Sequence, residues 1–327
     1  MVRARSSSVT DAAPQERLLV RTANGAGMSE RIAVGVDAGG TSTVAALSRD
    51  GSYESFVRGG PANPSSRGVP AAVDTIAGVV RQLVEDTDPA VLFVAAAGAG
   101  RESVRDALTA ALQAAFPTTG RIAVEDDARV ALRAAIPEGP GVVLVAGTGS
   151  VAYGENGDQR VRTGGAGFLL GDEGSGFAIG LAALKLLART FDGRARPDET
   201  TALAARAFDA EDRDALLAAL YGAPLDVARV AGLAPSVVAF AGKGNRASTK
   251  IVQSAALELG DLIRSTVQQC GLAESSPAVA FAGGLLRENS LLSFLLETRV
   301  TNEVPGASVV RMREEPARAA LRFAEAL

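Results

Sequence analysis

RIAVGVDAGGTSTVAALSR, at residues 31–49, is an apolar run that ends at Asp37, a glycine turn, and a second apolar run. Two apolar segments joined by such a turn predict two antiparallel strands. The backbone N–H groups of the turn can wrap a phosphate, because glycine has no Cβ to keep a ligand away. Three residues are expected to bind phosphate: Gly39, Gly40 and Thr41. Thr43 would add a hydroxyl donor and Asp37 would hold hydrated Mg²⁺, unless this is an ordinary hairpin that Asp37 caps.

A second stretch has the same design. GVVLVAGTGSVAYG, at residues 141–154, also places a glycine turn between two apolar runs. Four of its residues are expected to bind phosphate: Gly147, Thr148, Gly149 and Ser150. The chain has no G-x-x-x-x-G-K-[ST] motif, which excludes a Walker A loop, and a β-like segment rather than a helix follows the turn. The repeated unit predicts an internal duplication, with two facing loops that grip one polyphosphate.

Composition limits the classes of partner. The 327 residues suffice for two domains, and 47% hydrophobic and 21% charged residues are a globular balance. The formal net charge of −4 gives no electrostatic reason to expect nucleic acid. No apolar run approaches the ~18–20 residues that a membrane helix needs. The single cysteine, Cys270, excludes an internal disulfide and favours a reducing compartment, so we expect a cytoplasmic protein.

Histidine is absent from the chain. Its absence excludes Ser-His-Asp and Cys-His catalysis and imidazole metal sites. Proton transfer therefore falls to a carboxylate, Lys, Tyr or Cys. Asp127 follows an apolar segment and precedes a short helical one, and in phosphoryl transfer to an alcohol a carboxylate accepts the hydroxyl proton. We expect Asp127 to be this base; Asp126 is the rival, and a helix N-cap is the ordinary alternative.

Further along the chain, several residues are candidates for contacts with small ligands. Asp172, in GFLLGDEGSGF, could accept hydrogen bonds from substrate hydroxyls, although a solvated turn is the ordinary reading. Three other positions are assigned to the substrate: Asn63, Gly98 and Gly165. Gly283 and Gly284 follow an apolar strand and could admit a flat adenine against the backbone, or form a plain strand–helix turn.

Strand and helix patterns alternate along the chain, which predicts an α/β fold. Strands are expected at 32–37, 42–48, 53–58, 90–97, 121–125, 141–146, 150–154, 159–162, 278–282 and 307–311. Helices are expected at 67–86, 102–115, 128–135, 177–191, 245–270 and 288–298, within most of 198–242, and from 315 onward. We divide the chain into a disordered extension (1–28), an N-terminal domain (29–138) and a C-terminal domain (139–327) with a helical insertion. The last helix could return to pack on the N-terminal domain.

Five motifs together resemble one family. They are VDAGGT (36–41), EDDA (125–128), VAGTGS (145–150), GGAGFLLGDEGSG (164–176) and FAGGLL (281–286). The set is similar to the BadF/BadG/BcrA/BcrD-type ATPases, particularly their N-acetylglucosamine and glucosamine kinase branch, which belongs with actin and hexokinase. The resemblance implies two ribonuclease-H-like domains around a nucleotide cleft, with ATP and Mg²⁺ as cofactors.

The resemblance also implies roles for the candidate residues. Asp37 would serve Mg²⁺, the two glycine turns would bind the phosphates, and Asp127 would be the base. Asn63 and Asp172 would bind the sugar, and Gly283–Gly284 would contact adenosine. The implied activity is phosphorylation of an amino sugar, at the 6-OH, with a sugar as small-molecule partner and a homodimer left open.

The chain departs from the family pattern at several positions. Ser42 stands where a basic residue is frequent, and Ala166 stands where the sugar kinases commonly carry Trp. Val151 stands where the acetylglucosamine kinase pattern can place Asn. The lone Cys270 disfavours the iron–sulfur branch. Two alternatives stay open: a regulatory ATPase that switches a partner protein, and a sugar-binding module without turnover.

Overall fold

The computed structural model describes residues 31–327 apart from Asp86 and Arg313, so the predicted extension at 1–28 lies outside the described residues. The first five strands are β1 (Ile32–Ala38), β2 (Thr43–Arg49), β3 (Ser52–Gly59), β4 (Val91–Ala96) and β5 (Arg121–Asp126). The other five are β6 (Gly141–Ala146), β7 (Ser150–Asn156), β8 (Gln159–Gly164), β9 (Ala278–Ala282) and β10 (Ser308–Val310).

Twelve helices lie in the described part of the chain. In the first half they are α1 (Pro64–Arg67), α2 (Val69–Val84), α3 (Glu102–Ala115) and α4 (Asp127–Ala135). In the second half they are α5 (Gly176–Phe191), α6 (Glu199–Ala207), α7 (Arg213–Tyr221), α8 (Val227–Ala231), α9 (Ala234–Gly242), α10 (Arg246–Gln269), α11 (Leu291–Glu303) and α12 (Pro316–Glu325). None of these helices combines the length and apolarity that crossing a bilayer would require.

The strands form two five-stranded sheets with the same order. The first sheet runs β3-β2-β1-β4-β5 and the second runs β8-β7-β6-β9-β10. In each sheet a three-stranded antiparallel meander is extended by two strands parallel to its first strand. The repeated topology confirms the predicted α/β fold with two ribonuclease-H-like sheets. It also brings the carboxyl ends of the parallel strands to one edge of each sheet.

The expected helix at 67–86 is wrong at its start. The chain forms a one-turn helix, α1, and then breaks at Gly68, whose φ is +82°, before α2 begins. Glycine adopts this left-handed conformation without strain, so it ends one helix and redirects the next. The Asn63 side chain caps α1 by accepting hydrogen bonds from the N–H groups of Ser65 and Ser66.

Each sheet is covered on one face by its own helices. Helices α2 and α3 bury apolar side chains such as Ile76 and Leu108 against the first sheet. Helices α5, α9 and α10 do the same for the second sheet, with Leu184 and Leu259 in the core. The opposite faces of the two sheets are covered by α4 and α12, which lie between the lobes.

Helix α4 packs on both sheets through different faces. Val130 and Ala134 join the core of the first sheet and α12. Ala131 and Leu132 join the core of the second sheet beside Val143 and Tyr153. Because α4 touches both lobes, a group at its N-terminus is positioned by both.

Helix α12 crosses back from the second sheet to the first. A Cβ atom added to Gly35, in β1, would lie only 2.1 Å from the backbone nitrogen of Leu321. Glycine at this position lets the helix backbone approach the strand closely. The exact domain division at 138/139 stays a prediction.

Candidate active site

The first glycine turn joins β1 to β2. Strand pairing matches Ala38 with Thr43, which leaves a four-residue turn. The Gly39 N–H donates to the Ser42 carbonyl at 2.9 Å. Gly40 and Thr41 are exposed, and their N–H groups make no hydrogen bond to any described residue. These two N–H groups are therefore free to bind an anion.

Thr43 does not take part in this cradle. Its side chain is fully buried, and its hydroxyl donates to the Gly60 carbonyl at 2.8 Å. The expectation that Thr43 supplies a donor for phosphate is wrong, because the hydroxyl already satisfies a backbone carbonyl.

The second glycine turn joins β6 to β7. Pairing matches Ala146 with Ser150, and the Gly147 N–H donates to the Gly149 carbonyl at 2.9 Å. Ser150 donates its N–H to Asp172 Oδ1 at 3.1 Å and its hydroxyl to the Glu173 carbonyl at 2.7 Å. Ser150 therefore anchors the turn, and the donors without a partner among the described residues are the N–H groups of Thr148 and Gly149.

The third turn, Gly283–Gly284, sits against the end of β6. Gly283 has φ +92°, and a Cβ there would lie 2.2 Å from the Ala146 carbonyl oxygen. The same oxygen accepts the Leu285 N–H at 3.1 Å. The structure thus brings this turn directly beside the second glycine turn.

The three turns divide their glycines in the same way. In each, one glycine packs against protein atoms that a side chain would strike: Gly39, Gly149 and Gly283. In each, another has no described atom within 4 Å of the Cβ it lacks: Gly40, Gly147 and Gly284. The first group shapes the turns, and the second leaves open space where a ligand can reach the backbone.

Three carboxylates lie at the end of the first sheet. Asp37 is the next-to-last residue of β1, and Asp126 and Asp127 lie at the junction of β5 and α4. Burial raises the pKa of Asp37 to about 7; the charge of Glu315 adds to this rise, and Arg58 opposes it. Burial also raises the pKa of Asp127 well above its usual range, and the neighbouring Asp126 raises it further.

Asp126 and Asp127 differ in what their oxygens contact. Asp126 caps α4, since its Oδ1 accepts the Ala128 N–H at 3.0 Å. Its Oδ2 accepts a hydrogen bond from Arg162 at 3.2 Å. Both oxygens of Asp126 are therefore committed to α4 and Arg162. The Asp127 side chain hydrogen-bonds to Asp126, but among the described residues it accepts from no backbone N–H and no basic side chain, so it is the better placed of the two to meet a substrate.

Arg162 was missed by the sequence reasoning. It lies on β8 in the second lobe, yet its guanidinium reaches Asp126 in the first. Arg160 and Arg162 alternate with Val161, which packs against the core, so the pattern could have placed both arginines on the opposite face. Only the tertiary structure shows that Arg162, and not Arg160, meets the carboxylates at the end of the first sheet.

The candidate sugar ligands fall into two groups. In the first lobe, Asn63 and Gly98 are neighbours: a Cβ on Gly98 would lie 2.4 Å from Asn63 Oδ1. Because that oxygen caps α1, only the Asn63 amide nitrogen, which bonds to no described residue, is available to a ligand. In the second lobe, Gly165 lies beside Arg162, and Asp172 holds the second glycine turn through one oxygen.

A series of charged groups connects the two lobes. The Asp127 carboxylate is influenced by the charges of Asp37 and Arg162. Burial raises the pKa of Asp172, the N–H of Ser150 opposes this rise, and so does the charge of Arg162. The charges of Asp37 and Arg162 thus both act on the pKa of Asp127, and the charge of Arg162 also acts on that of Asp172.

An ion-pair network lies behind these groups. Glu155 of β7, which is buried, accepts hydrogen bonds from Arg129 Nε and Arg133 Nε of α4, each at 3.1 Å. The Tyr153 hydroxyl also donates to it at 2.8 Å. Burial alone would raise the pKa of Glu155, but the hydrogen bonds from Arg133 and Tyr153 outweigh it and lower the pKa. The ionised carboxylate ties α4 to the second sheet.

The oxygen donors at this site suit a hard cation such as Mg²⁺. Asp37 lies just before the open part of the first turn, and its pKa is raised mainly by burial and further by the charge of Glu315, so a bound cation would favour its ionised form. Across residues 31–85, 87–312 and 314–327, no cluster of three or more Asp, Glu, His or Cys side chains could hold a metal by itself. Mg²⁺ usually binds one or two carboxylates together with substrate phosphates, so Asp37 fits this role.

A family model and two curated proteins match the sequence. The model, described as the BadF/BadG/BcrA/BcrD ATPase family, matches residues 34–321. An N-acetylmuramic acid/N-acetylglucosamine kinase from Clostridium acetobutylicum is 28% identical over 181 residues, 54% of this chain and 58% of that protein. An N-acetyl-D-glucosamine kinase from Dictyostelium discoideum is 29% identical over 187 residues, 56% of this chain and 59% of that protein. The chain therefore aligns with under two thirds of the length of either relative.

Solved structures share the fold over most of the chain. The crystal structure of a candidate N-acetylglucosamine kinase from Chromobacterium violaceum aligns with a TM-score of 0.72 at 22% identity, over 90% of this chain and 98% of that one. A second candidate N-acetylglucosamine kinase, from Porphyromonas gingivalis, aligns with a TM-score of 0.70 at 19% identity, over 89% and 98%. At these identities the likeness concerns the fold.

Proposed function

Because the chain belongs to the BadF/BadG/BcrA/BcrD ATPase family, we propose that it is an ATP-dependent kinase that phosphorylates a hydroxyl group of an amino sugar. The observation that carries this proposal is the contact between the lobes beside Asp127: Arg162 of the second lobe donates to Asp126, the neighbour of Asp127, while Asp172 holds the second glycine turn through the Ser150 N–H. The two curated relatives, both named as kinases of N-acetylated amino sugars, support the substrate class.

In the proposed reaction the two glycine turns bind the phosphates. The free N–H groups of Gly40 and Thr41 act from one lobe, and those of Thr148 and Gly149 act from the other. Such fixed donors stabilise charge on the transferred phosphoryl group without reorganisation. Asp37 would hold Mg²⁺, which neutralises charge on the phosphate oxygens.

The sugar would lie next to Asp127. Asp127 accepts the proton of the attacking hydroxyl, and its raised pKa makes the carboxylate a stronger base than an ordinary Asp. The Asn63 amide nitrogen and the second oxygen of Asp172 would orient the other sugar hydroxyls. We assign attack to the 6-OH, the primary hydroxyl that projects farthest from the ring.

Closure of the lobes would exclude water and limit wasteful ATP hydrolysis. With ATP as co-substrate and one cysteine, a cytoplasmic location is proposed.

Sugar-dependent release of ADP tests this function. We expect N-acetylglucosamine, glucosamine or N-acetylmuramic acid to stimulate ADP release, and 6-deoxy-N-acetylglucosamine to give none. Glucose serves as the control without an amino group. A basal ATPase rate that no sugar changes would contradict the kinase and favour a regulatory ATPase. Turnover with the 6-deoxy sugar would contradict the assignment of the 6-OH alone.

A further inference from the structure

Arg162 makes a charged contact between the lobes beside the candidate base. It lies opposite Tyr153 in the pairing of β7 with β8, on the face of the second sheet that packs against α4. Its Nη1 donates to Asp126 Oδ2 at 3.2 Å. The Arg162 side chain is 28% exposed and that of Asp126 is 11% exposed, so the pair is largely shielded from water. A shielded pair in defined geometry restrains its partners more than a surface ion pair does.

Two glycines make room for the guanidinium group. A Cβ on Gly100, in the loop after β4, would lie 2.9 Å from Arg162 Nη1. A Cβ on Gly165, after β8, would lie 2.7 Å from Arg162 Nη2. Backbone from the first lobe and backbone from the second therefore flank the same side chain, which fixes its position.

Asp126 transmits this position to the base. Its other oxygen, Oδ1, caps the N-terminus of α4 through the Ala128 N–H. Asp127 is the first residue of α4, between the capping residue and the residue that it caps. Any movement of Asp126 therefore moves the backbone that carries Asp127.

We propose that Arg162 is a positioning residue: from the second lobe it holds Asp126, and through it the first turn of α4, so that Asp127 faces the acceptor hydroxyl. The proposal rests on the proposed kinase function, in which Asp127 is the base. Arg162 itself does not accept the proton. It makes the geometry of the base depend on the arrangement of the two lobes.

Arg162→Met tests this role, with Arg162→Lys as the conservative variant. We expect kcat to fall about 100-fold in Arg162→Met, since a misplacement of about 1 Å is sufficient for that loss. The KM values for ATP and for the sugar should change less than about 3-fold, because ground-state binding does not require the base. Arg162→Lys should recover part of the loss, because it keeps the charge without the two-pronged shape.

Arg160→Met is the matched control. Arg160 is two residues away on the same strand and face, but its side chain is 52% exposed and lies 3.8 Å from Glu155 rather than near Asp126. Its kcat should stay within about 2-fold of wild type, as for other exposed ion pairs. Melting temperatures of all variants are measured alongside, and a kcat loss that merely follows the unfolded fraction would overturn the proposal.

A double-mutant cycle with Asp126→Asn separates the pair from two independent effects. If Arg162 acts through Asp126, Arg162→Met should cost little further kcat in the Asp126→Asn background. Hydrogen exchange at the first turn of α4 should also accelerate in Arg162→Met and not in Arg160→Met. Additive losses in kcat, or a loss confined to the KM for sugar, would overturn the proposal.

A wild-type protein without sugar-dependent ADP release would instead refute the proposed function. An active wild type together with a fully active Arg162→Met variant would refute only the positioning role.

Discussion

The two glycine turns at the ends of β1 and β6 share a backbone plan but differ in chemistry. Ala38 and Ala146 end the two strands, and they pair across the turns with Thr43 and Ser150 respectively. Both partners are buried, and each donates a hydroxyl hydrogen bond to a backbone carbonyl. One residue before the alanines, however, the first lobe has Asp37 and the second has Val145. The repeated fold thus supplies two turns with unpaired N–H groups, which we propose bind phosphate, whereas the candidate metal ligand and base come from the first lobe alone.

Asp127→Asn is the strongest test of this division. The amide cannot accept the hydroxyl proton, so kcat should fall by about 10²–10⁴-fold, the usual contribution of a general base. The affinity for ATP should stay close to wild type, because the cradles do not involve this side chain. Steady-state kinetics and calorimetric titration of a non-hydrolysable ATP analogue measure the two effects. Near-wild-type turnover would transfer the role of base to Asp126 or end the assignment.

Asp37→Asn tests the other carboxylate specific to the first lobe. We expect kcat/KM for MgATP to fall by about 100-fold, since charge on the transferred phosphoryl group loses its stabilisation. Val145→Ala, at the matching position of the second turn, is the control and should change kcat/KM by less than about 3-fold. Equal losses in the two variants would contradict the asymmetry of the lobes.

Asp37→Asn should also change the stability of the metal-free protein, and the change should depend on pH. Without metal, folded Asp37 has a pKa of about 7 against 3.8 for the ordinary side chain. Between these values the folded protein holds a proton that the unfolded chain has released, so its stability falls as the pH rises from about 4 to about 7. Metal-free Asp37→Asn lacks this loss and should melt higher than wild type at pH 8 and equally near pH 4. A lower melting temperature at pH 8 would contradict the burial of this carboxylate.

Substitutions at a packed glycine and at an open glycine of the third turn should have smaller effects than the carboxylate substitutions above. Gly283→Ala places a methyl group against the Ala146 carbonyl at a φ of +92°, so it should destabilise the protein by at least about 1–3 kcal/mol. Gly284→Ala, its neighbour, meets no described atom within 4 Å and should unfold like wild type while binding nucleotide more weakly. Urea denaturation and nucleotide titration distinguish the pair. Equal stability of the two variants would show that the third turn is not packed on β6 as described.

Thr43→Val and Ser150→Ala test the equivalence of the two turns with the smallest effects. Each removes one buried hydroxyl hydrogen bond to a backbone carbonyl, which should cost about 1 kcal/mol. Because the two positions match in the two sheets, their losses should be similar in chemical denaturation. A loss of ATP affinity without a loss of stability in Thr43→Val would return this hydroxyl to the phosphate site.

Local patterns allowed most of the fold to be predicted. The strand at 141–146 and the helix at 102–115 match residue for residue, because their apolar periodicity and the turns that bound them are encoded nearby. The glycine turns were also predicted, because glycines stand between two apolar runs in each case. The break at Gly68 was missed because a single glycine within a helical pattern is often tolerated.

Contacts between distant segments could not be predicted in this way. The Thr43 hydroxyl donates to the Gly60 carbonyl, and the Ser150 N–H donates to Asp172 Oδ1. Both hydrogen bonds depend on loops that return from elsewhere in the chain. Arg162 meets Asp126 from a strand of the other lobe, 36 residues away. Spacing along the sequence shows which residues share a strand face, but not which carboxylate that face meets.

We propose that both glycine turns bind one triphosphate beside Asp127. A crystal structure with Mg²⁺, a non-hydrolysable ATP analogue and N-acetylglucosamine tests it most directly. We expect phosphate oxygens within hydrogen-bond distance of the N–H groups of Gly40 and Thr41 and of those of Thr148 and Gly149, with a sugar hydroxyl in contact with Asp127. A triphosphate that touches only one of the two turns, or a sugar bound away from Asp127, would contradict it.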